Sequence, residues 1–207
     1  ACTSGKWQDA DPHSAETCKQ CPDGYTAHGS DGGITDTAAI DCKECIAGLW
    51  DHDGNPTNSC NECGNGYTTQ RNNVLTETGA TQCKACPGGW FDYDGNPWTA
   101  CKKCVAGQYS EDGAVTCSGC LATFYSGAGQ NACTSCPPGS ETQKDGEFLE
   151  LRATHCHECP AAWYDDDYNG ANSGTACKQC AAGRVQPTYS APAGAGARVS
   201  VRNMSAE

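Results

Sequence analysis

Hydrophobic positions in this chain are sparse and follow no regular period for more than a few residues. Almost no segment repeats apolar residues at the spacing of an amphipathic helix, and no apolar run approaches the ~18 residues of a membrane span. The best strand candidate is the stretch 146–151, where apolar and acidic residues alternate. Turn-forming sequences such as Asp-Gly-Asn-Pro recur, in which glycine supplies positive φ and proline restricts the backbone. The pattern predicts short, irregular β-hairpins with little helix.

Cysteine supplies the regularity that the hydrophobic residues lack. The chain has 19 cysteines in 207 residues, and after Cys2 they fall into nine Cys-x-x-Cys pairs separated by 12 to 20 residues. Shorter intervals carry a tryptophan followed by an acidic turn, whereas longer ones open with Gly-Tyr or Pro-Gly and are rich in threonine. The shorter intervals after Cys45 and Cys86 share the sequence Asp-x-Asp-Gly-Asn-Pro. Residues 1–180 are therefore predicted to be a tandem array of cysteine-rich repeats.

The composition excludes an ordinary hydrophobic core. Leu, Ile, Val and Phe together number only 17, about 8% of the chain, well below the ~20% under which a charged chain is expected to stay disordered. Each interval is too short to bury a core alone, so the modules are expected to stack in one dimension with contacts only to neighbours. The predicted fold is small and disulfide-rich: an elongated, solenoid-like rod of about nine short irregular β-hairpin modules, each closed by one disulfide.

Zinc is the alternative to disulfides. Two Cys-x-x-Cys pairs at this separation also describe a zinc ribbon, in which four thiolates bind one metal ion. However, nine pairs would leave one pair without a partner, and the net charge of −12 lacks the basic surface that nucleic acid or anionic lipid selects. Disulfides are therefore favoured, which places the protein outside the cell or at its surface, with no nucleic-acid partner and no membrane span.

The order of the cysteines suggests that the second cysteine of each pair bonds the first cysteine of the next. A closed loop of ~15 residues contributes about 3 kcal/mol in the chain-entropy account, so nine such loops offset the missing core. The alternative is an interleaved pairing that links adjacent modules. The sequential scheme leaves Cys180 unpaired or free to bond another chain. Its nine disulfides are Cys2–Cys18, Cys21–Cys42, Cys45–Cys60, Cys63–Cys83, Cys86–Cys101, Cys104–Cys117, Cys120–Cys133, Cys136–Cys156 and Cys159–Cys177.

Three sequences directly after a Cys-x-x-Cys pair carry a resemblance to known families. They are Pro-Asp-Gly-Tyr after Cys21, Pro-Gly-Gly-Trp after Cys86 and Pro-Pro-Gly-Ser after Cys136. They resemble the cysteine-rich repeats of growth-factor receptors and ephrin receptors. The long array also resembles the Cys-x-x-Cys-repeat surface antigens of protists, such as ciliate immobilisation antigens and diplomonad variant surface proteins. The resemblance covers residues 2–180 and implies single-disulfide modules in a rod displayed outside the cell.

No group of residues predicts catalysis, because a redox Cys-x-x-Cys is normally one activated pair at the start of a helix. The acidic turns are candidate metal sites, since they place oxygen ligands on tight turns, as Ca²⁺ requires. They lack the terminal bidentate glutamate of an EF-hand, so Asx turns are the preferred interpretation and calcium the alternative, and no other cofactor is expected. The candidate ligands are Asp51, Asp53, Asp92 and Asp94.

Four tryptophans, Trp7, Trp50, Trp90 and Trp163, recur at one phase of the repeat. They are predicted to pack over a neighbouring disulfide or the next module. The alternative is that they form exposed platforms on which sugars stack.

Residues 181–207 differ in composition from the array. They contain no cysteine, are rich in Ala, Gly and Pro, and carry three arginines and one glutamate, so they are formally +2 whereas residues 1–180 are −14. This tail is interpreted either as a linker or as an arm that docks on another subunit, with an alternating segment that would add a strand. The residues of that segment are Arg198, Val199, Val201 and Arg202, and Asn203 begins the one full N-glycosylation sequence.

Two functions from different classes are compatible with these features. The first is a non-catalytic extracellular structural protein, a glycosylated subunit of a cell-surface coat or filament. Its partners would be copies of itself or other coat proteins, bound through non-covalent contacts that involve the tail. The alternative is a receptor ectodomain or adhesin that binds a protein or glycan.

Overall fold

The computed structural model describes residues 2, 4–8, 17–165 and 176–181, which include all 19 cysteines. Every regular element in these ranges is a β-strand, and most strands are two residues long. No helix in the described ranges is long and apolar enough to cross a membrane. The strands are β1 (Lys6–Trp7), β2 (Lys19–Gln20), β3 (Tyr25–His28), β4 (Asp41–Glu44), β5 (Leu49–Trp50), β6 (Asn61–Glu62), β7 (Tyr67–Arg71), β8 (Val74–Leu75), β9 (Gln82–Ala85), β10 (Trp90–Phe91), β11 (Lys102–Lys103), β12 (Gln108–Tyr109), β13 (Ser118–Gly119), β14 (Phe124–Tyr125), β15 (Thr134–Ser135), β16 (Ser140–Lys144), β17 (Glu147–Phe148), β18 (His155–Glu158), β19 (Trp163–Tyr164) and β20 (Lys178–Gln179).

Each module is one small sheet closed by one disulfide. Within the described residues, seven sheets have two strands and two have three, in the orders β8-β7-β9 and β17-β16-β18. The last strand of every module contains the two residues between the cysteines of a pair, as Lys19–Gln20 does between Cys18 and Cys21. This pairing brings two cysteines to Cα separations of 5.6–5.9 Å, within the usual range for a disulfide. The predicted small disulfide-rich fold of about nine β-hairpin modules with little helix is confirmed.

The disulfides of the structure follow the sequential order, and none is interleaved. Each joins the second cysteine of one pair to the first cysteine of the next. Cys180 is free and half-buried. Since the other 18 cysteines are oxidised in pairs, they have no thiolates with which to form the alternative zinc sites.

Two long modules carry an additional hairpin. The turn between β7 and β8 has positive φ at Asn72 and Asn73, and the turn between β16 and β17 has it at Asp145 and Gly146, as type I′ hairpin turns require. The strand predicted over 146–151 is shorter in the structure, where β17 covers only Glu147–Phe148. Beyond β17 the chain makes one further hydrogen bond, from the Leu149 N–H to the Thr142 carbonyl, and then turns at Arg152, whose φ is +61° and whose N–H donates to the Cys120 carbonyl.

The chain divides into two compact units. The first comprises Ala1–Pro87, Phe91–Lys102 and Asp112–Thr116, and the second comprises Gly88–Trp90, Lys103–Glu111 and Cys117–Glu207. Among the described residues, the buried hydrophobic positions are all cysteine or alanine, with no buried Leu, Ile, Val or Phe. Small residues and disulfides therefore form the interior, as the composition requires.

Candidate functional site at the module joints

Two positions, counted from the cysteine that opens each module, connect successive modules. The opening cysteine is Cys2 in the first module and the second cysteine of a pair in every later one. We call the third residue after it the turn position and the sixth the joint position. The turn positions are Gly5, Gly24, Gly48, Gly66, Gly89, Gly107, Thr123, Gly139 and Ala162. The joint positions are Gln8, Ala27, Asp51, Thr69, Asp92, Ser110, Ser126, Thr142 and Asp165.

The turn position has a positive φ of 67–85° in all nine modules. This conformation lets its carbonyl accept the N–H of the next opening cysteine, at 2.7–3.1 Å in nine successive bonds. Glycine adopts it without steric cost, which explains glycine at seven of the nine turn positions. Thr123 and Ala162 hold the same geometry with a side chain present.

Four of the turn glycines also touch backbone two modules further along the chain. A Cβ atom placed on Gly24, Gly66, Gly89 or Gly107 would lie only 2.1–2.3 Å from a carbonyl oxygen of that module. Real Cβ atoms do not approach carbonyl oxygens so closely, so these positions accept no side chain without a shift of the backbone. The module array is therefore packed through main-chain atoms rather than through large side chains.

The joint position donates its N–H to a main-chain carbonyl of the following module. Seven such bonds, of 2.6–3.4 Å, link described residues, for example Ala27 to Pro56 and Ser126 to Ala153. Joint residues other than Gln8 are at most 8% exposed. Their side chains are either small, as in Ala27, or polar. The same backbone hydrogen bond to the following module, which we call the joint register, thus recurs at seven described joints.

Three joint positions hold an aspartate whose carboxylate reaches back to the preceding module. Its Oδ2 accepts the turn-glycine N–H at 2.9 Å in Asp51 and Asp92 and at 3.1 Å in Asp165. Oδ1 of Asp51 and Asp92 accepts two further N–H groups from the turn that follows. These hydrogen bonds compensate the burial of a charged group.

The sixth and seventh modules, in which the bonded cysteines are only 13 residues apart, make the same connection with serine, and we call them the compact modules. The N–H groups of Gly89 and Gly107 donate to the main-chain carbonyls of Ser110 and Ser126 at 2.8 Å. The serine hydroxyls in turn donate to carbonyls of the preceding module, at Trp90 and Gln108. Because the backbone carbonyl replaces the carboxylate, the joint is preserved where the acidic turn is missing.

The candidate calcium ligands are engaged in these turns. Both carboxylate oxygens of Asp51 and Asp92 accept backbone N–H groups, as the Asx-turn interpretation requires. Hydrogen bonds from the Asn55 backbone and from the Asn58 side chain lower the pKa of the exposed Asp53 carboxyl. In the ranges that the structure describes, no three His, Cys, Asp or Glu side chains are grouped to hold a metal ion. Calcium binding at Asp51, Asp53, Asp92 and Asp94 stays a prediction.

A side-chain network joins the second module to the fourth. Glu44 accepts hydrogen bonds from the Tyr25 hydroxyl and from Thr78 Oγ1, the latter at 2.6 Å, and the Arg71 guanidinium lies 5.7 Å from the centre of the Tyr25 ring. The hydrogen bonds from Thr78 and Tyr25 lower the pKa of Glu44, and the bond to Glu44 raises the pKa of Tyr25. The positions of these four residues in the sequence do not predict this network.

The repeated tryptophans do not share one environment. Trp7 packs on a small buried cluster of Cys21, Ala27 and Ala39, as the packing hypothesis predicts. Trp90 and Trp163 are 37% and 39% exposed, and the Lys103 ammonium lies 6.0 Å from the centre of the Trp90 ring. Two of the four rings are therefore accessible to a ligand.

Cys180 occupies the position of an opening cysteine. Its N–H donates to the carbonyl of Ala162, the turn residue of the ninth module, at 2.7 Å, and every other opening cysteine after Cys2 makes the equivalent bond to the turn residue before it. The tail residues that are predicted to take part in assembly or to be glycosylated lie outside the described residues. They are Arg198, Val199, Val201, Arg202 and Asn203.

The comparison with protein families finds a match that covers most of the compact modules and continues into the eighth module. A family model described as tyrosine-protein kinase ephrin type A/B receptor-like matches residues 107–147. These residues are similar to an ephrin-receptor-like cysteine-rich repeat. The segment begins at a turn glycine, contains two joint serines and ends in β17. No curated protein matches the chain significantly. Together with the nine disulfides, the receptor-like repeat indicates an extracellular cysteine-rich protein.

Proposed function

We propose that this protein is a non-catalytic extracellular structural repeat protein that serves as a subunit of a cell-surface coat or filament. The observation that carries the proposal is the single backbone register at seven described joints. Because main-chain atoms, small residues and disulfides hold the modules together, the outward side chains are free to vary for assembly. A scaffold of this kind suits a structural protein, and the resemblance to protist surface antigens points the same way.

Assembly is proposed to involve non-covalent contact between the tail and the array of a second copy. The tail carries +2 and residues 1–180 carry −14, so their charges are complementary. The alternating segment 198–202 would add a strand to a hairpin edge, where backbone N–H and C=O groups can pair with another strand. Asn203 is the proposed glycosylation site.

Negative-stain electron microscopy of the full chain tests this proposal. We expect ordered fibres or sheets from the intact protein, and dispersed particles from a variant that lacks residues 181–207. The variants Arg198→Ser/Arg202→Ser and Val199→Ser/Val201→Ser separate the charge contribution from the strand contribution. Dispersed particles from the intact protein, or equal assembly by the deletion variant, would contradict the proposal.

The alternative function, a receptor ectodomain or adhesin, is favoured by two observations. The family match is to a receptor-like repeat, and Trp90 and Trp163 present accessible rings beside acidic turns. A glycan array probed with the monomer distinguishes this function. Specific binding that is lost in Trp90→Ala, without loss of folding, would favour the adhesin over the structural protein.

A further inference from the structure

The disulfides and the short linkers between them form a covalent path from Cys2 to Cys180. Each disulfide joins the two ends of a module loop, and the next linker contains only the two residues between the cysteines of a pair. The path therefore alternates between a disulfide and a three-residue step, nine times each. The loops, whose cysteines are 13 to 21 residues apart in sequence, are closed by the disulfides and are not part of this path.

We propose that this path makes the protein a strain-limited tether, in which tension between the two ends passes through the disulfides and linkers while the loops carry none. The proposal concerns the covalent scaffold alone. It holds for a coat subunit and for a receptor ectodomain alike, and it is independent of assembly through the tail.

The taut length of the path follows from the connectivity. Nine disulfide steps of 5.6–5.9 Å between Cα atoms and nine extended three-residue steps of ~10.5 Å amount to about 145 Å. The same residues without disulfides would extend to roughly 620 Å. The disulfides thus withhold about 480 Å, or three quarters, of the extension that the chain would otherwise allow.

Each step of the path is close to its full length. All nine linkers lie in strands, as Lys102–Lys103 and Thr134–Ser135 do, so they are already close to full extension. Disulfide Cα separations rarely exceed ~6.8 Å, so each disulfide step can lengthen by only about 1 Å. Tension that breaks the hydrogen bonds at the joints therefore separates the modules without unravelling a loop.

The same connectivity protects the chain against cleavage inside a loop. Lys144 lies exposed next to the β16–β17 turn, and Arg152 lies exposed nearby, both within the loop closed by Cys136 and Cys156. Trypsin cleavage at either residue leaves the two parts joined by that disulfide. Only a cut inside a linker severs the path, and the linkers are hydrogen-bonded in the hairpins.

Single-molecule stretching of the full chain, held at both ends, tests the proposal. Without reductant we expect no increase in contour length beyond the tether itself. The variant Cys86→Ser/Cys101→Ser should lengthen by about 47 Å, and Cys63→Ser/Cys83→Ser by about 64 Å, because their loops span 15 and 20 residues. Dithiothreitol, which reduces each disulfide to two thiols and is itself oxidised to a cyclic disulfide, should release nine steps of about 40 to 68 Å in the wild type.

The results that would overturn the proposal are equally defined. Steps of ~40 Å or more in the oxidised wild-type protein would show that loops carry tension. Equal lengthening of the two variants would show that the loops differ from those described. Limited digestion with an arginine-specific protease provides a readout that needs no variant to fold. Arg71 and Arg152 lie inside loops, and no linker contains an arginine, whereas several linkers contain lysine. The fragments of residues 1–180 should therefore separate on a gel only after reduction, and their separation without reductant would also contradict the tether.

Discussion

Replacement of Gly66 by alanine tests the packing of modules through main-chain atoms. The new Cβ would lie 2.1 Å from the carbonyl oxygen of Gly113, and the φ of +84° is unfavourable for alanine. Strain in this region costs about 1 kcal/mol. Displacement of the segment around Gly113 would break two hydrogen bonds between the fifth and sixth modules. The Gly113 N–H donates to the Cys86 carbonyl and the Asp92 N–H donates to the Ala114 carbonyl, and each bond contributes about 1 kcal/mol. The expected total is about 3 kcal/mol.

Gly146→Ala is the matched control, because Gly146 also has positive φ, at +85°, but no atom lies within 4 Å of the point that an alanine Cβ would occupy. It should cost only the ~1 kcal/mol of backbone strain. Hydrogen–deuterium exchange of the disulfide-intact protein measures the difference at the Gly113 amide. We expect exchange about 30-fold faster in Gly66→Ala than in Gly146→Ala, from the ~2 kcal/mol between them. Equal exchange in the two variants would refute packing through the turn glycine.

Three further predictions concern the joints and their surroundings. Asp92→Ala removes the acceptor of the Gly66, Asp94 and Gly95 amides and should destabilise the joint by about 2–4 kcal/mol. Asp94→Ala, at an exposed carboxylate, should destabilise the protein less, because water replaces its hydrogen bonds. Similar effects of the two variants in denaturant titrations would contradict the structural role of Asp92. Ala162→Gly should relieve about 1 kcal/mol of backbone strain at φ +67°. Because the Ala162 carbonyl accepts the Cys180 N–H, hydrogen–deuterium exchange of the Cys180 amide should become about fivefold slower. Unchanged or faster exchange would count against the turn geometry. Hydrogen bonds from Thr78 and Tyr25 lower the folded-state pKa of Glu44, so its contribution to stability is present above the unfolded-state pKa and is lost as the pH falls through the folded-state pKa. The melting temperature of Glu44→Gln should therefore depend less on pH in that acidic range than the melting temperature of the wild type. A pH profile identical to that of the wild type would refute the network.

Features of the fold that depend on spacing could be predicted from the sequence. The nine Cys-x-x-Cys pairs indicate closed loops, because each interval is too short for another kind of core. The Asp-x-Asp-Gly-Asn-Pro sequences indicate Asx turns, because the side chains of Asp51 and Asp53 accept nearby backbone N–H groups. These signals are local in sequence, and the corresponding loops and turns are present in the structure.

The joints could not be predicted in this way, because their contacts are made by main-chain atoms. Ala27, Asp51 and Ser110 occupy equivalent buried positions but carry a methyl group, a carboxylate and a hydroxyl, so composition gives no sign of their equivalence. The signal that was present is glycine three residues after most opening cysteines. Its meaning depends on the carbonyl that lies two modules away, as at Gly66 and Gly113, and that proximity is a tertiary fact.

The different exposures of the tryptophans follow from their positions in the strands. Trp7 lies five residues after its opening cysteine and packs on the cluster of Cys21, Ala27 and Ala39. Trp90 and Trp163 lie four residues after theirs, one strand position earlier, so their side chains point to the opposite face and are more exposed. This one-residue difference in spacing is present in the sequence.

Disulfide mapping tests the central claim most directly, since the joints, the register and the tether all require sequential pairing. The native protein would be digested with pepsin at low pH, where thiol–disulfide exchange is slow, and the linked peptides identified by mass spectrometry without reduction. We predict nine linked pairs, each joining one opening cysteine to the first cysteine of the next pair, and a single free thiol at Cys180. A peptide that links non-neighbouring pairs, such as Cys45 to Cys83, would contradict the account.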